Sequence, residues 1–181
     1  MGREGSSAFA IWLTGLPASG KSAITAALLN QLHKRGVFPT VLESDVLRQQ
    51  FPATTYDDRD RDYFYGSMAF IGKALTEQGI PVIFDATANL RAYRDRARQQ
   101  IPKFVEVYVK CPLEVCMQRD PKGIYHRGNT GAAQHVPGLQ SAYEPPLDPE
   151  IVVQGDQESP DSSAGRILEF LERRGLIPQE R

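Results

Sequence analysis

Residues Gly15-Leu16-Pro17-Ala18-Ser19-Gly20-Lys21-Ser22 satisfy the pattern G-x-x-x-x-G-K-[ST]. An apolar run at 9–13 precedes them and a helix-forming run at 22–34 follows, so a buried strand, a glycine-rich turn and a helix start come in that order. Such a loop closes backbone N–H groups around an anion, which needs little side-chain bulk at Gly15 and Gly20. The helix beginning near Lys21 adds its unpaired N–H groups and the positive end of its dipole. The pattern therefore predicts a triphosphate cradle along 15–22, with Lys21 at the β- and γ-phosphates and Ser22 holding Mg²⁺. An ordinary glycine-rich helix cap is the plainer alternative.

The rest of the chain continues the strand–helix alternation. With 181 residues and 41% hydrophobic content it is read as one globular domain, residues 1–181, with a polar tail at 1–7. Its 21 basic and 22 acidic residues leave no net field for nucleic acid or an anionic membrane, so an anionic substrate has to be met by locally placed cations. The start lacks the apolar segment of a signal peptide and no later run approaches a membrane span, which points to the cytoplasm. Cys111 and Cys116 have neither zinc-site spacing nor a disulfide framework, and the three histidines do not cluster.

Strands are expected at 8–14, 40–42, 81–84, 104–109 and 151–153, and helices at 22–34, 46–51, 63–78, on the segment that carries Arg91, Arg94, Arg96 and Arg98, at 112–119 and at 164–174, while 52–62 is expected to be a loop running into the helix at 63–78, its charge run at 57–62 a solvated helix start. Unalternated apolar strands between helices have the habit of a parallel sheet covered by helices on both faces. Ligands bind at the carboxyl ends of such strands, which selects Asp45 after the second and Asp85 after the third. Asp45 is a candidate general base or Mg²⁺ ligand, or else the N-cap of the helix that follows. Asp85 competes with it for Mg²⁺, and Asp45 is preferred. Arg48, one turn beyond Asp45, is either an anion contact or a surface charge. Arg91 and Arg94 share a helix face that is either an anion site or solvated. The segment 120–149 shows no period and is expected to be a lid that excludes water from phosphoryl transfer.

Several stretches together resemble adenylylsulfate kinases: Trp12-Leu13-Thr14-Gly15-Leu16-Pro17, Arg94-Asp95-Arg96-Ala97-Arg98, Pro112-Leu113-Glu114-Val115-Cys116, Arg119-Asp120-Pro121-Lys122-Gly123-Ile124-Tyr125 and Tyr143-Glu144-Pro145-Pro146. The resemblance implies a phosphate-loop kinase fold built on a doubly wound parallel sheet, ATP with Mg²⁺, a homodimer, and transfer of the γ-phosphoryl group to the 3′-hydroxyl of adenosine 5′-phosphosulfate. It implies Asp45 as the catalytic-site aspartate, Arg48 and Arg61 as acceptor-binding arginines, Arg119 beside the adenine of ATP, and Lys122 in the lid motif over the phosphates. The departures lie in the acceptor half. Glu43-Ser44-Asp45 replaces the usual Asp-Gly-Asp, while Phe64, Gly66 and Ser67 replace an asparagine and an arginine pair. Ala88 stands for a serine, and Val136 for a lid phenylalanine that stacks on the acceptor adenine. Losing such a stack removes about 1–3 kcal/mol. Two alternatives stand beside this reading: a kinase of the same build with another acceptor, and a nucleotide-binding module without transfer activity.

Overall fold

The computed structural model describes residues 8–50 and 55–179. The expected tail at 1–7, the end of the helix expected at 46–51, and the start of the loop expected from Pro52 lie outside the described residues.

Five strands form one sheet: β1 (Ala10–Thr14), β2 (Thr40–Glu43), β3 (Val82–Asp85), β4 (Phe104–Lys110) and β5 (Ile151–Gln154). Their spatial order is β2-β3-β1-β4-β5, and every pairing is parallel, with Ala10 opposite both Val82 and Phe104. Parallel neighbours require crossovers, and the helices supply them. These are α1 (Lys21–Lys34), α2 (Ser44–Arg48), α3 (Asp58–Glu77), α4 (Arg91–Gln100), α5 (Leu113–Arg119), α6 (Ile124–Asn129) and α7 (Pro160–Arg173).

Strand β1 shows why the sheet is covered on both sides. Ile11 and Leu13 point into one core with Ile24, Leu28 and Leu32 of α1 and Ile167 and Leu171 of α7. Ala10 and Trp12 point into the other, with Phe64 and Met68 of α3 and Tyr93 and Ala97 of α4. Trp12 stacks on Phe84 at 4.4 Å between ring centroids, and its indole N–H donates to the Ala86 carbonyl at 3.1 Å, so the ring's one polar atom is satisfied in the core.

Three expected boundaries move for local reasons. Helix α2 begins at Ser44 with Glu43 at its cap, so Asp45 lies in the first turn and is not the N-cap. Helix α3 begins at Asp58, inside the stretch expected to be loop, because the Asp57 carboxylate caps it by accepting from the Asp60 N–H at 2.8 Å. The segment 120–149 is not structureless. It contains α6, and Cys116, Tyr125 and Val136 form a small apolar cluster under it.

Arg94 is buried against the sheet. Its Nε donates to Glu106 Oε1 at 2.6 Å, Nη2 donates to the Glu144 carbonyl at 2.7 Å, and Nη1 is bound by the Ala88 carbonyl. The anion-site reading of Arg94 is thereby corrected: its donors are spent inside the protein. Arg94→Leu is expected to leave the Glu106 carboxylate poorly neutralised and to lower stability by about 3 kcal/mol in urea titration. A loss below about 1 kcal/mol would mean that Arg98, 3.3 Å from the other Glu106 oxygen, carries the pairing alone.

Candidate functional site

The carboxyl ends of the strands open onto one cleft of about 920 Å³. Gly20, Lys21 and Ser22 enter it after β1, Asp45 and Arg48 after β2, Asp85 at the end of β3 and Thr87 just beyond it, and Lys122 and Val136 from the segment 120–149. Strand β1 is flanked by β3 and β4, and the chain crosses to opposite sides of it, so the loop at 15–20 sits where an open parallel sheet binds ligands.

Close approach sets the loop's composition. A Cβ on Gly15 would meet the Val109 carbonyl oxygen at 2.5 Å and the Ser19 hydroxyl at 2.7 Å. Gly20 has φ 106°, a conformation that favours glycine, and it turns the chain into α1. The Tyr125 hydroxyl donates to the Pro17 carbonyl at 3.1 Å, tying α6 to the loop. Lys21 is buried, and its ammonium donates to the carbonyls of Gly15 at 3.1 Å and Leu16 at 2.9 Å. Burial pushes its pKa below the usual lysine value, against the pull of the Asp85 and Asp45 carboxylates. The cation is thus held at the loop by backbone oxygens and by two acids facing the same cleft.

The two acids differ. Asp85 is 6% exposed, and its Oδ2 is buried without a hydrogen-bond partner. Such an oxygen calls for a cation or water. Asp45 is open to solvent, and its Oδ2 receives Lys122 Nζ at 2.5 Å, a bond that raises the lysine's pKa and ties the lid to α2. Among the described residues no three His, Cys, Asp or Glu side chains converge on a metal position. Mg²⁺ suits this donor set, since it takes one or two protein oxygens and draws its other ligands from phosphates and water.

Arg48 is buried in the cleft wall, with its guanidinium carbon 3.9 Å from the Phe64 ring centre and 4.5 Å from that of Tyr56. Arg61 also lines the cleft and donates to the His135 carbonyl of the lid. Arg119 donates to the Gly155 carbonyl at 2.7 Å at the cleft edge. Val136 is buried and contributes an aliphatic wall to the cleft.

Arg91 is a correction to the sequence reading. It does not line the cleft: its N–H donates to Glu144 Oε2 at 2.8 Å and its guanidinium to the Pro145 carbonyl at 3.2 Å, so it fastens α4 to the segment before β5. The sequence reading missed Tyr56, Thr87, Asn89 and His135, all of which line the cleft. The carboxyl-end rule that selected Asp85 reaches Thr87 and Asn89 two and four residues on. No comparable signal marks Tyr56 or His135.

The fold and cleft have close counterparts among known proteins. A model of the adenylylsulphate kinase family matches residues 7–154. The chain belongs to the adenylylsulfate kinase family. It is 39% identical over 168 residues to the adenylyl-sulfate kinase of Gloeothece citriformis, covering 92% of this chain and 96% of that one. With the adenylyl-sulfate kinase of Rippkaea orientalis it shares 38% identity over 92% of this chain and 93% of the relative. The structure of the Mycobacterium tuberculosis APS kinase in complex with AMPPNP and APS superposes with a TM-score of 0.86 at 29% identity, covering 92% of this chain and 98% of that one. Adenylylsulfate kinases are ATP-dependent kinases, and the phosphate loop and the parallel sheet described above are the family's parts as they stand in this chain. Among the described residues no helix is long and apolar enough to cross a membrane. Both cysteines are free and buried, and burial pushes the Cys116 thiol up to about 12, which suits packing better than redox chemistry.

Proposed function

We propose that the protein transfers the γ-phosphoryl group of ATP to the 3′-hydroxyl of adenosine 5′-phosphosulfate, giving the 3′-phosphorylated sulfonucleotide and ADP. The observation that carries this reading is the pairing of a complete phosphate loop with a second, arginine-lined half of the same cleft, in a chain of this family. The loop amides and Lys21 hold the β- and γ-phosphates, and Arg119 lies beside the base. Asp45 accepts the proton of the attacking hydroxyl or orients it, while Arg48 and Arg61 take the acceptor's anionic groups. The Lys122–Asp45 bond gives the lid a charged latch, and release of Lys122 toward the phosphates frees Asp45 for the acceptor.

Ser22 and Asp85 would hold Mg²⁺, with Asp45 nearer the acceptor; the unpartnered oxygen of Asp85 supports this division. When bound, the ion neutralises charge on the phosphate oxygens. The two free thiols suit a reducing compartment, and we read the protein as cytoplasmic. A homodimer accords with the exposed rings of Tyr63 and Phe70, seven residues apart on α3. The whole chain is read as one kinase unit with 120–149 as its lid.

A second reading, a different acceptor, is favoured by one feature: Val136 and Phe64 offer no stacking phenylalanine and no amide where the family pattern has them. A panel of acceptors in a coupled assay of ADP release separates the two. Adenosine 5′-phosphosulfate is expected to exceed adenosine 5′-phosphate and simple polyols by at least about a hundredfold in kcat/KM, as the loss of two charge-assisted contacts would require. Equal rates across the panel would reject it.

A further inference from the structure

Arg48 stands on the short helix after β2, yet what holds it comes from elsewhere in the chain. Phe64 of α3 lies under its guanidinium at 3.9 Å, Tyr56 at 4.5 Å and Tyr65 at 5.7 Å. Asp60 joins the set: one carboxylate oxygen accepts from the Tyr56 N–H at 3.0 Å and from Arg48 Nη1 at 3.3 Å. The Phe64 ring is itself fully buried, edge-on to Tyr65 at 5.3 Å, so it is a fixed platform. A guanidinium stacked on rings keeps its charge and its in-plane N–H fork, while the rings restrict its rotation. Asp60 meets it at a long distance, which leaves donor capacity on the cleft side.

We infer that Phe64 is a positioning residue for the acceptor site: its ring, with Tyr56 and Asp60, holds the Arg48 guanidinium so that its N–H edge meets an oxyanion of the acceptor. The inference rests on the acceptor assignment given above for the identity of that anion, a phosphosulfate. It also gives the departure at position 64 a physical role. A residue that does not hydrogen-bond to the acceptor acts on it through the arginine beneath which it packs.

The kinetic test uses the full-length protein with Phe64→Leu, which keeps the apolar volume and removes the ring, and a series in which Phe64 alone is replaced by mono-, di- and trifluorinated phenylalanine. Fluorination weakens the ring's negative face at nearly constant shape. The KM for adenosine 5′-phosphosulfate is expected to rise about tenfold in Phe64→Leu and in steps along the fluorinated series, with kcat and the KM for ATP within about twofold of wild type. Parallel loss in both substrates, or a flat fluorinated series, would overturn the inference and make Phe64 ordinary core packing. A second readout is independent of the acceptor. The Arg48 side-chain Nε–H resonance, assigned with Arg48→Lys, is expected to be ring-current shifted in wild type and to move toward the free-arginine position in Phe64→Leu. If that shift is seen but the wild-type protein does not turn over adenosine 5′-phosphosulfate, the acceptor assignment fails and the role of Phe64 stands. An Arg48 resonance unchanged by Phe64→Leu overturns the inference whatever the acceptor.

Discussion

Lys21→Ala is expected to lower kcat by at least about a thousandfold for any acceptor, some 4 kcal/mol of transition-state stabilisation, while leaving the fold intact. The two halves of this expectation come from different observations. The ammonium is desolvated, and burial lowers its pKa, so the resting protein gains little from the charge itself. Its bonds to the Gly15 and Leu16 carbonyls hold it in place at the loop, and the alanine variant loses only those. Thermal unfolding should therefore shift by no more than a few degrees. What is removed is the cation that stabilises charge on the transferred group, an interaction made in full only when phosphates are present. A variant that keeps full activity would contradict the assignment of the loop. One that loses activity only because it has unfolded would show that Lys21 holds the fold.

Asp45→Asn is the second large expectation. The amide keeps the size of the side chain but cannot take a proton, so kcat should fall by about a hundredfold to ten-thousandfold. Asp45 and Lys122 are both more than half exposed, so losing their ion pair should change stability by less than about 1 kcal/mol. Asp85→Asn provides the contrast. On the proposal that its unpartnered buried oxygen takes Mg²⁺, this variant should raise the Mg²⁺ concentration needed for half-maximal rate, whereas Asp45→Asn should leave that requirement nearly unchanged. Magnesium titrations of the two variants check the division. The reverse pattern would return Asp45 to the metal, the role first preferred for it from the sequence.

The phosphate loop was legible in the sequence because its demands are local: small residues at Gly15 and Gly20, a cation, a hydroxyl, and a strand and helix on either side. The parallel sheet was legible for a similar reason, since strands buried on both faces carry apolar residues without alternation, as Ile11, Trp12 and Leu13 do. What escaped depended on which way a helix face turns. Helical spacing put Arg91 and Arg94 together, but it could not say that Glu106 would bury Arg94 or that Glu144 would draw Arg91 away from the cleft. The charge run at 57–62 was legible as a solvated helix start, but its first residue was not, because a cap such as Asp57 is recognised only once the helix it starts is known. The aromatic setting of Arg48 brings α2 together with Tyr56, just before α3, and with Phe64 and Tyr65 on α3, and no periodicity links position 48 to them. Helix α6 was hidden by Gly128 within it and Gly123 at its cap, and its anchor on the Pro17 carbonyl is a contact across more than a hundred residues.

The central claim is that this cleft phosphorylates the 3′-hydroxyl of adenosine 5′-phosphosulfate at the expense of ATP. The most direct test is to incubate the purified protein with MgATP and adenosine 5′-phosphosulfate and to analyse the nucleotide product by mass spectrometry and phosphorus NMR. The account predicts an acceptor heavier by one phosphoryl group, esterified at the 3′-oxygen, formed in step with ADP. ADP release without a phosphorylated acceptor, or phosphate found on any other position, would contradict it.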